Sequence, residues 1–438
     1  MRPSVAFCTL GCKVNQYETQ AIAENFIALG YGLCDFTQKA DVYIINTCTV
    51  TSESDKKSRQ MIRKARKTGG SDAIVIAIGC FTQAQKQSIE KILELDAAFG
   101  NQDKSKVAEY AHKLLLNSEK SKKFENKISD IASCQEYDEM NITHSERTRA
   151  VVKIVDGCEN KCSYCIIPSV RGKIRSRSPE NIICELNTLS TAGYKEVVLT
   201  GIETAAYGKD GVNCSLPELL KLVDNVQGIE RIRLGSLEPT VIKDEFIATI
   251  KNSQHIVPHL HLSLQSGCDK LLSKMRRKYN TKMFFDAITR LKNEIPGITF
   301  TTDIIVGFPG ETDEMFEETR EFVKKCGFLY VHIFPYSKRE GTDAAVMPEQ
   351  IPPEIKKRRA SELKKTMLET RSRVLSSFNN KNSTVIFEEY IDGFFYGHTE
   401  HFIEVKYKSD FDESLIGKII NCKLIYDKTT TDYMLCEI

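Results

Sequence analysis

Three cysteines with the spacing Cys158-x-x-x-Cys162-x-x-Cys165 are the residues of this sequence best suited to hold a metal cluster. Iron–sulfur clusters are bound through cysteine thiolates and normally take four of them. The next cysteine along the chain, Cys184, falls in a predicted helix, and no histidine lies between. Three thiolates leave one iron of a cubane 4Fe–4S cluster open, so the spacing predicts a site that a substrate or cofactor completes.

Neither a zinc site nor chance accounts for this triplet as well as a cluster does. A structural zinc site requires four N or S ligands in closed tetrahedral geometry, and this segment offers three. Chance clustering among 15 cysteines does not account for the strand-like run at 150–155 before the triplet or the apolar Ile166 and Ile167 after it. The flanking residues therefore favour a cluster-binding loop that follows a buried strand.

A second set of cysteines follows three predicted strands in the first third of the chain: Cys12, Cys48 and Cys80. Helical stretches follow them at roughly 16–29, 54–67 and 82–94. Alternating strands and helices predict a parallel sheet, whose strands end at one edge, where ligands bind. The three cysteines should meet there and hold a second cluster with an open iron. The competing interpretation is an inert buried cysteine, which is the one we favour for Cys8.

The middle of the chain repeats a strand–helix unit six times. Strand-like runs are predicted at 150–155, 196–200, 230–234, 259–264, 299–306 and 330–334. Helices are predicted between them at 179–191, 216–226, 241–252, 281–294 and 312–325. In β/α barrels, function gathers at the carboxyl ends of the strands, and glycine and polar residues fall there in this sequence.

The cysteine segments resemble those of a known family. TLGCKVNQYETQ (9–20), NTCTVTSESDKKSRQ (46–60), IGC (78–80) and the Cys158 triplet with Tyr164 resemble the motifs of radical S-adenosylmethionine (SAM) methylthiotransferases. The resemblance covers essentially the whole chain. It implies an α/β fold with an N-terminal parallel-sheet domain, a central partial (β/α)6 barrel and a small C-terminal β-barrel of the TRAM type. We expect these domains at 1–118, 144–374 and 377–438, with a linker at 119–143.

The resemblance also implies the cofactors and their binding residues. The cofactors are two 4Fe–4S clusters, one on each cysteine set, and SAM. SAM would chelate the open iron of the Cys158 triplet and, after one-electron reduction, give a 5′-deoxyadenosyl radical. The residues implied in SAM binding are Tyr164, Gly201, Glu203, Arg233, Ser236, Gln265, Ser266, Ile305 and Gly307. The alternative is that these glycines only form tight turns and the polar groups cap helices.

The expected reaction is methylthiolation of tRNA. LGCKVNQYET resembles the subgroup that modifies C2 of N6-threonylcarbamoyladenosine beside the anticodon. The same chemistry on isopentenyladenosine in tRNA, or on a ribosomal-protein aspartate, is the alternative within the family. An alternative of another class is a non-catalytic protein that combines two redox clusters with an RNA-binding module.

Charge and composition limit the partners that this chain could bind. The net charge is only +2, but Arg171, Lys173, Arg175 and Arg177 follow the triplet with no acidic residue among them, and we predict that they contact RNA phosphates. Residues 380–438 hold six Lys/Arg and eleven Asp/Glu, a net charge of −5, so this region would need a localised face or aromatic stacking to bind RNA. The aromatic candidates for such stacking are Phe394, Phe395 and Tyr396.

The cysteine content and hydropathy indicate the compartment. Fifteen cysteines without a secretory leader indicate thiol ligands in a reducing cytosol. No apolar run approaches the ~20 residues that cross a bilayer. We expect a cytoplasmic monomer without membrane contact, served by an electron donor such as flavodoxin or ferredoxin.

Overall fold

The computed structural model of this chain describes residues 2–116 and 123–438. It comprises a six-stranded parallel sheet, a partial β/α barrel and a closed β-barrel, which confirms the predicted fold class. The predicted boundary between residues 118 and 119 lies outside the described residues.

The first sheet is parallel throughout, with the order β2-β1-β3-β4-β5-β6. Its strands are β1 (Ser4–Thr9), β2 (Gly32–Cys34), β3 (Val42–Thr47), β4 (Ile74–Gly79), β5 (Ala97–Phe99) and β6 (Glu125–Lys127). Its helices are α1 (Lys13–Ala28), α2 (Ser52–Gly69), α3 (Cys80–Ala84) and α4 (Val107–Leu116). The central strands β3 and β4 are buried along their whole length, because helices cover both faces of such a sheet.

Two parts of this region differ from the sequence-based expectations. The helix predicted at 82–94 is wrong beyond Ala84, because the chain turns there to bring Ala97 into register with Ile76, which leaves Leu93 exposed. Residues 125–127, inside the predicted linker, form the edge strand β6.

The partial barrel contains six parallel strands and one short antiparallel strand. The parallel strands are β7 (Arg149–Asp156), β9 (Glu196–Gly201), β10 (Arg231–Leu234), β11 (His259–His261), β12 (Thr299–Val306) and β13 (Tyr330–Pro335), and the antiparallel strand is β8 (Arg175–Ser176). Two isolated bridges, Ile232 to Ile256 and Leu237 to Leu262, connect the β8-β7-β9-β10 sheet to the β11-β12-β13 sheet. All six predicted strands are therefore confirmed.

The helices of the barrel region follow the sequence pattern closely. They are α5 (Ile167–Arg171), α6 (Pro179–Thr191), α7 (Leu216–Val223), α8 (Asp244–Asn252), α9 (Asp269–Lys274), α10 (Thr281–Glu294), α11 (Asp313–Cys326), α12 (Asp343–Val346) and α13 (Pro353–Ser377). The helix α7 begins at a capping box, in which the Ser215 hydroxyl accepts from the Glu218 N–H and the Glu218 carboxylate accepts from the Ser215 N–H.

The closed barrel follows α13 and has the strand order β14-β15-β16-β18-β17. Its strands are β14 (Asn382–Ile391), β15 (Phe394–Thr399), β16 (Glu404–Lys408), β17 (Ile419–Ile425) and β18 (Met434–Glu437). Closure leaves no free sheet edge. In the described ranges, no helix is both long and apolar enough to cross a membrane.

Phe402, in the turn between β15 and β16, joins the closed barrel to the partial barrel. Its ring stacks on His259 at a centroid distance of 4.7 Å, and the Arg233 guanidinium lies 5.0 Å from the ring centroid. Arg149 forms an ion pair with Glu388 at 2.9 Å beside this contact. Arg149, His259 and Thr299, which contact the closed barrel, are the first residues of β7, β11 and β12, so the closed barrel docks at the amino-terminal end of the partial barrel.

We expect Phe402→Ala to lower the free energy of unfolding by about 2 kcal/mol, because it removes a stacked ring and a cation–π contact at this junction. Denaturant unfolding followed by circular dichroism measures the change. Val346→Ala is the control, since Val346 is 84% exposed and its loss should change stability by less than about 0.5 kcal/mol. Equal effects of the two substitutions would contradict this view of the junction.

Candidate iron–sulfur active site

One cavity of about 400 Å³ brings residues of both cysteine sets together. It lies at the carboxyl ends of the barrel strands, where the first sheet faces the partial barrel. Cys12, Cys158, Cys162 and Cys165 all line it. The structure therefore places the first set and Cys12 of the second set around one space, whereas Cys48 and Cys80 do not line it.

The Cys158 triplet lies in the loop between β7 and α5. The Arg277 guanidinium donates to Cys162 Sγ at 3.0 Å, and the Asn160 N–H donates to Cys158 Sγ at 3.4 Å. Burial raises the pKa of the Cys158 thiol to about 11 and that of Cys165 to about 12. Thiols in such surroundings ionise when a metal replaces the proton, so the donor set fits thiolate ligation of a cluster.

The second set lies at the carboxyl edge of three adjacent strands of the first sheet. Cys12 is the N-cap residue of α1, Cys48 follows β3, and Cys80 is the first residue of α3. The three thiols lie close enough to influence one another: burial raises the pKa of Cys12, and Cys80 raises it further. Gly11 has φ +106° and packs so tightly on Cys48 that a Cβ there would lie 3.2 Å from Cys48 Sγ.

Glu203 provides the clearest evidence for a cationic ligand in the cavity. Its side chain lines the cavity, and its Oε1 atom is buried with no hydrogen-bond partner among the described residues. Burial, and then the nearby Glu238 carboxylate, raise the pKa of Glu203 to about 7. An unpartnered buried carboxylate is costly unless a positive group binds it, which fits the amino group of SAM.

Five more of the residues predicted to bind SAM line the same cavity: Tyr164, Gly201, Ser236, Gln265 and Ile305. Gln265 adopts φ +72°, an unusual conformation for a residue other than glycine, and such strain is typical of functional sites. These residues keep their predicted role as candidates for contact with the cofactor.

Three residues predicted to bind SAM lie elsewhere. Arg233 is buried and donates to Glu196 at 2.8 Å, because a buried guanidinium requires a carboxylate partner and the neighbouring strand supplies one. Ser266 is buried, with its hydroxyl 3.2 Å from that of Thr319. Gly307 donates to the Glu311 carboxylate at 2.6 Å and does not line the cavity.

The prediction that Arg171, Arg175 and Arg177 contact RNA conflicts with their burial, since each is at most 1% exposed. Arg171 pairs with Glu18 and Asp156, and Arg177 with Glu185 and Glu139. Arg175 donates to the carbonyl oxygens of residues 171 and 173. Only Lys173 of the four is exposed and available to a phosphate.

Sequence reasoning missed Arg277, Asp303 and Asn160, which also line the cavity. Arg277 forms an ion pair with Glu238 at 2.6 Å and lies after α9. Because sequence reasoning selected residues that follow strands, it could not identify Arg277. Asp303 could have been recognised, because it is the one charged residue in the otherwise uncharged strand β12.

Two parts of the chain match known protein families. Residues 152–323 match the Radical SAM superfamily, and residues 4–100 match a family described as Uncharacterized protein family UPF0004.

Three curated relatives align over nearly the whole chain. Threonylcarbamoyladenosine tRNA methylthiotransferase MtaB of Bacillus subtilis (strain 168) is 42% identical over 96% of this chain and 94% of its own. The MtaB protein of Aquifex aeolicus is 37% identical over 95% and 98%. The tRNA-2-methylthio-N(6)-dimethylallyladenosine synthase of Acetivibrio thermocellus is 34% identical over 96% and 88%.

A solved structure shares the fold. The radical SAM methyltransferase TsrM of Kitasatospora setae, with cobalamin and a 4Fe–4S cluster bound, aligns with a TM-score of 0.59. It is 14% identical, and the alignment covers 79% of this chain and 77% of that chain. The likeness extends to the fold alone.

We expect the affinity for SAM to rise by about tenfold between pH 6 and pH 8, because a carboxyl with a pKa of about 7 gains its charge over this interval. Glu203→Gln should abolish the part of the pH dependence that this carboxyl contributes. Equilibrium binding of SAM to the cluster-loaded protein at pH 6, 7 and 8 measures the effect.

The matched control is Glu159→Gln, which removes an exposed carboxyl from the Cys158 loop. Its pH profile should match that of the unaltered protein. If Glu203→Gln keeps the full pH dependence, Glu203 does not bind the cofactor through its charge.

Proposed function

This chain belongs to the methylthiotransferase family of radical SAM enzymes, and we propose that it adds a methylthio group to C2 of N6-threonylcarbamoyladenosine at position 37 of tRNA. The observation that carries this proposal is the single cavity lined by Cys12 together with the Cys158 triplet. The two relatives named as threonylcarbamoyladenosine tRNA methylthiotransferases are 42% and 37% identical to this chain. The relative named as a tRNA-2-methylthio-N(6)-dimethylallyladenosine synthase is 34% identical.

In this proposal Cys158, Cys162 and Cys165 hold one 4Fe–4S cluster, and Cys12, Cys48 and Cys80 hold the second. When bound, the clusters and SAM supply the one-electron chemistry and the methyl group that modification of an unreactive aromatic C–H bond requires. A side chain that acts as an acid or base cannot supply that chemistry. We therefore assign the ionisable side chains of the cavity to positioning the ligands.

The residues of the chain orient the cofactor and balance charge. Glu203 would hold the amino group of SAM, and Arg277 donates to Cys162 Sγ while paired with Glu238. Ile166, Ile167 and Ile305 form an apolar part of the cavity lining.

The target adenosine enters through a groove at the mouth of the cavity. This groove shares Thr51, Pro335, Tyr336 and Ser337 with the cavity lining and also carries Lys338 and Lys356. Anticodon-loop bases are single-stranded, so an adenosine can be turned into such a site at low cost.

The helix α2 begins at this groove and presents a row of exposed cations that can neutralise tRNA phosphates: Lys56, Lys57, Arg63, Lys64 and Lys67. We propose that a flavodoxin or ferredoxin supplies the electron. We also propose that the protein is a monomer in the cytoplasm, the compartment that contains its tRNA substrate.

Lys13 is the side chain that we propose recognises the threonyl carboxylate. It follows Cys12 directly, and among the described residues no carboxylate forms an ion pair with its ammonium group. Burial, and then the charges of Arg149 and Arg233, lower the pKa of Lys13 to about 8, while the Glu196 carboxylate acts in the opposite direction. A cation directly after Cys12 suits the carboxylate that distinguishes threonylcarbamoyladenosine from isopentenyladenosine.

We expect the triple substitution Cys12→Ala, Cys48→Ala and Cys80→Ala to reduce the iron content of anaerobically reconstituted protein from about eight to about four atoms per chain. Cleavage of SAM under dithionite should persist, while methylthiolation of tRNA disappears. Iron analysis and mass spectrometry of tRNA nucleosides measure the two properties. Cys184→Ala, which alters an exposed cysteine on α6, is the control and should leave both unchanged. Retention of thiolation in the triple variant would refute the second cluster site.

We expect Lys13→Ala to weaken binding of tRNA that carries the threonylcarbamoyl group by about 10- to 100-fold, because it removes a charge-assisted hydrogen bond. Binding of tRNA that lacks the group should change little. Fluorescence titration with the two tRNAs measures both constants, and Lys13→Arg, which keeps the charge, is the control. Equal weakening for both tRNAs would show that Lys13 binds the backbone instead.

A further inference from the structure

A cluster of five buried charged residues lies where α1 of the first sheet packs on β7 of the partial barrel. The members, each at most 4% exposed, are Glu18, Lys104, Lys153, Asp156 and Arg171, and they are called the charge cluster below. Arg171 contacts Glu18 at 2.6 Å and Asp156 at 3.0 Å. Lys153 lies 3.1 Å from both carboxylates, and Lys104 pairs with Glu18.

The charge cluster contains more positive than negative charge. Three cations face two carboxylates. Arg175, 4.0 Å from Asp156, adds one positive charge, and Asp138, which accepts from the Lys104 N–H at 2.7 Å and acts on Lys153, adds one negative charge, so the excess is one positive charge. An unbalanced charge is expensive in a protein interior unless an opposite charge lies nearby. The excess therefore points to an anionic neighbour.

That neighbour lies beside Arg171. The Arg171 Nε–H donates to Cys80 Sγ at 3.4 Å. A second guanidinium nitrogen donates to Asn15 Oδ1 at 2.6 Å, and Asn15 Nδ2 donates in turn to the carbonyl oxygens of Leu10 and Thr47. These carbonyls lie in the segments that lead to Cys12 and Cys48, so Arg171 is connected to all three loops of the second cysteine set.

We propose that Arg171 is a positioning residue that provides the counter-charge of the second cluster and raises its reduction potential. The proposal rests on ligation of that cluster by Cys12, Cys48 and Cys80. A doubly positive 4Fe–4S core with three thiolates carries one net negative charge, which the excess of the charge cluster balances. A further electron increases the negative charge, and a buried guanidinium that donates to a ligand sulfur favours the reduced state.

Arg171 ends the short helix that follows the Cys158 triplet, so a residue of one cluster's loop sets the environment of the other cluster. Its position six residues after Cys165 places its guanidinium beside Cys80, across the interface between the first sheet and the partial barrel. A purely structural role would predict that Arg171 supports packing and leaves the potential unchanged.

The potential can be measured without interference from the first cluster. We use the full chain with Cys158→Ala, Cys162→Ala and Cys165→Ala, reconstituted anaerobically, and follow reduction by electron paramagnetic resonance in a redox titration. Arg171→Gln should shift the midpoint potential to more negative values, and Arg171→Lys, which keeps the charge, should lie closer to the parent. Arg177→Gln is the matched control, since Arg177 is equally buried but pairs with Glu185 and Glu139.

The outcomes separate this inference from the proposed function. A parent-like potential in Arg171→Gln, or an equal shift in Arg177→Gln, overturns the counter-charge role while leaving the cluster in place. Absence of iron from the background protein overturns the ligand assignment itself and this inference with it. If circular dichroism shows that Arg171→Gln does not fold, Lys104→Met takes its place: it removes a positive charge of the charge cluster without touching Cys80, and an unshifted potential overturns the proposal.

Discussion

The contact between Glu18 on α1 and Arg171 after the Cys158 triplet fixes how the first sheet meets the partial barrel. Both side chains are fully buried and 2.6 Å apart, and they belong to a buried cluster with Lys104, Lys153 and Asp156, so removing either side chain leaves buried charges of that cluster unbalanced. Breaking such a pair costs about 3–5 kcal/mol, which makes slippage of the interface unfavourable. Because Cys12 and the triplet lie on opposite sides of this interface, the same contact sets the width of the cavity between them.

The electrostatics of the cavity follow from that placement. Thiolates make both ends of the site negative, and the chain supplies guanidinium groups to each: Arg277 at Cys162 and Arg171 at Cys80. The charge that remains unsatisfied in the middle belongs to Glu203, whose raised pKa reflects burial without a partner. A cationic cofactor therefore completes the charge balance of the site, and an RNA base enters as a neutral group.

The sequence predicted the fold and the cysteine positions because those signals are local. Six apolar strands with helices between them determine a β/α barrel, and residues that follow parallel strands must share an edge. The arginines after the triplet show where this reasoning ends. A cation directed at phosphate and a cation directed at a buried carboxylate look alike in sequence, and the partner Glu18 is 153 residues from Arg171. The prediction for Arg233 conflicts with its burial for the same reason, since its partner Glu196 lies on the neighbouring strand.

The closed barrel docks at the end of the partial barrel opposite the cavity mouth, and its net charge of −5 repels RNA overall. Contact with tRNA at this barrel would have to use a local surface. Lys406 provides one, because its ammonium group lies 3.9 Å from the Tyr433 ring centroid and 4.7 Å from that of Tyr396. Phe395, expected from the sequence to stack on bases, is instead buried in the barrel core. A lysine among half-exposed aromatic rings offers a cation and stacking surfaces on one local face, and salt screens the more distant carboxylates.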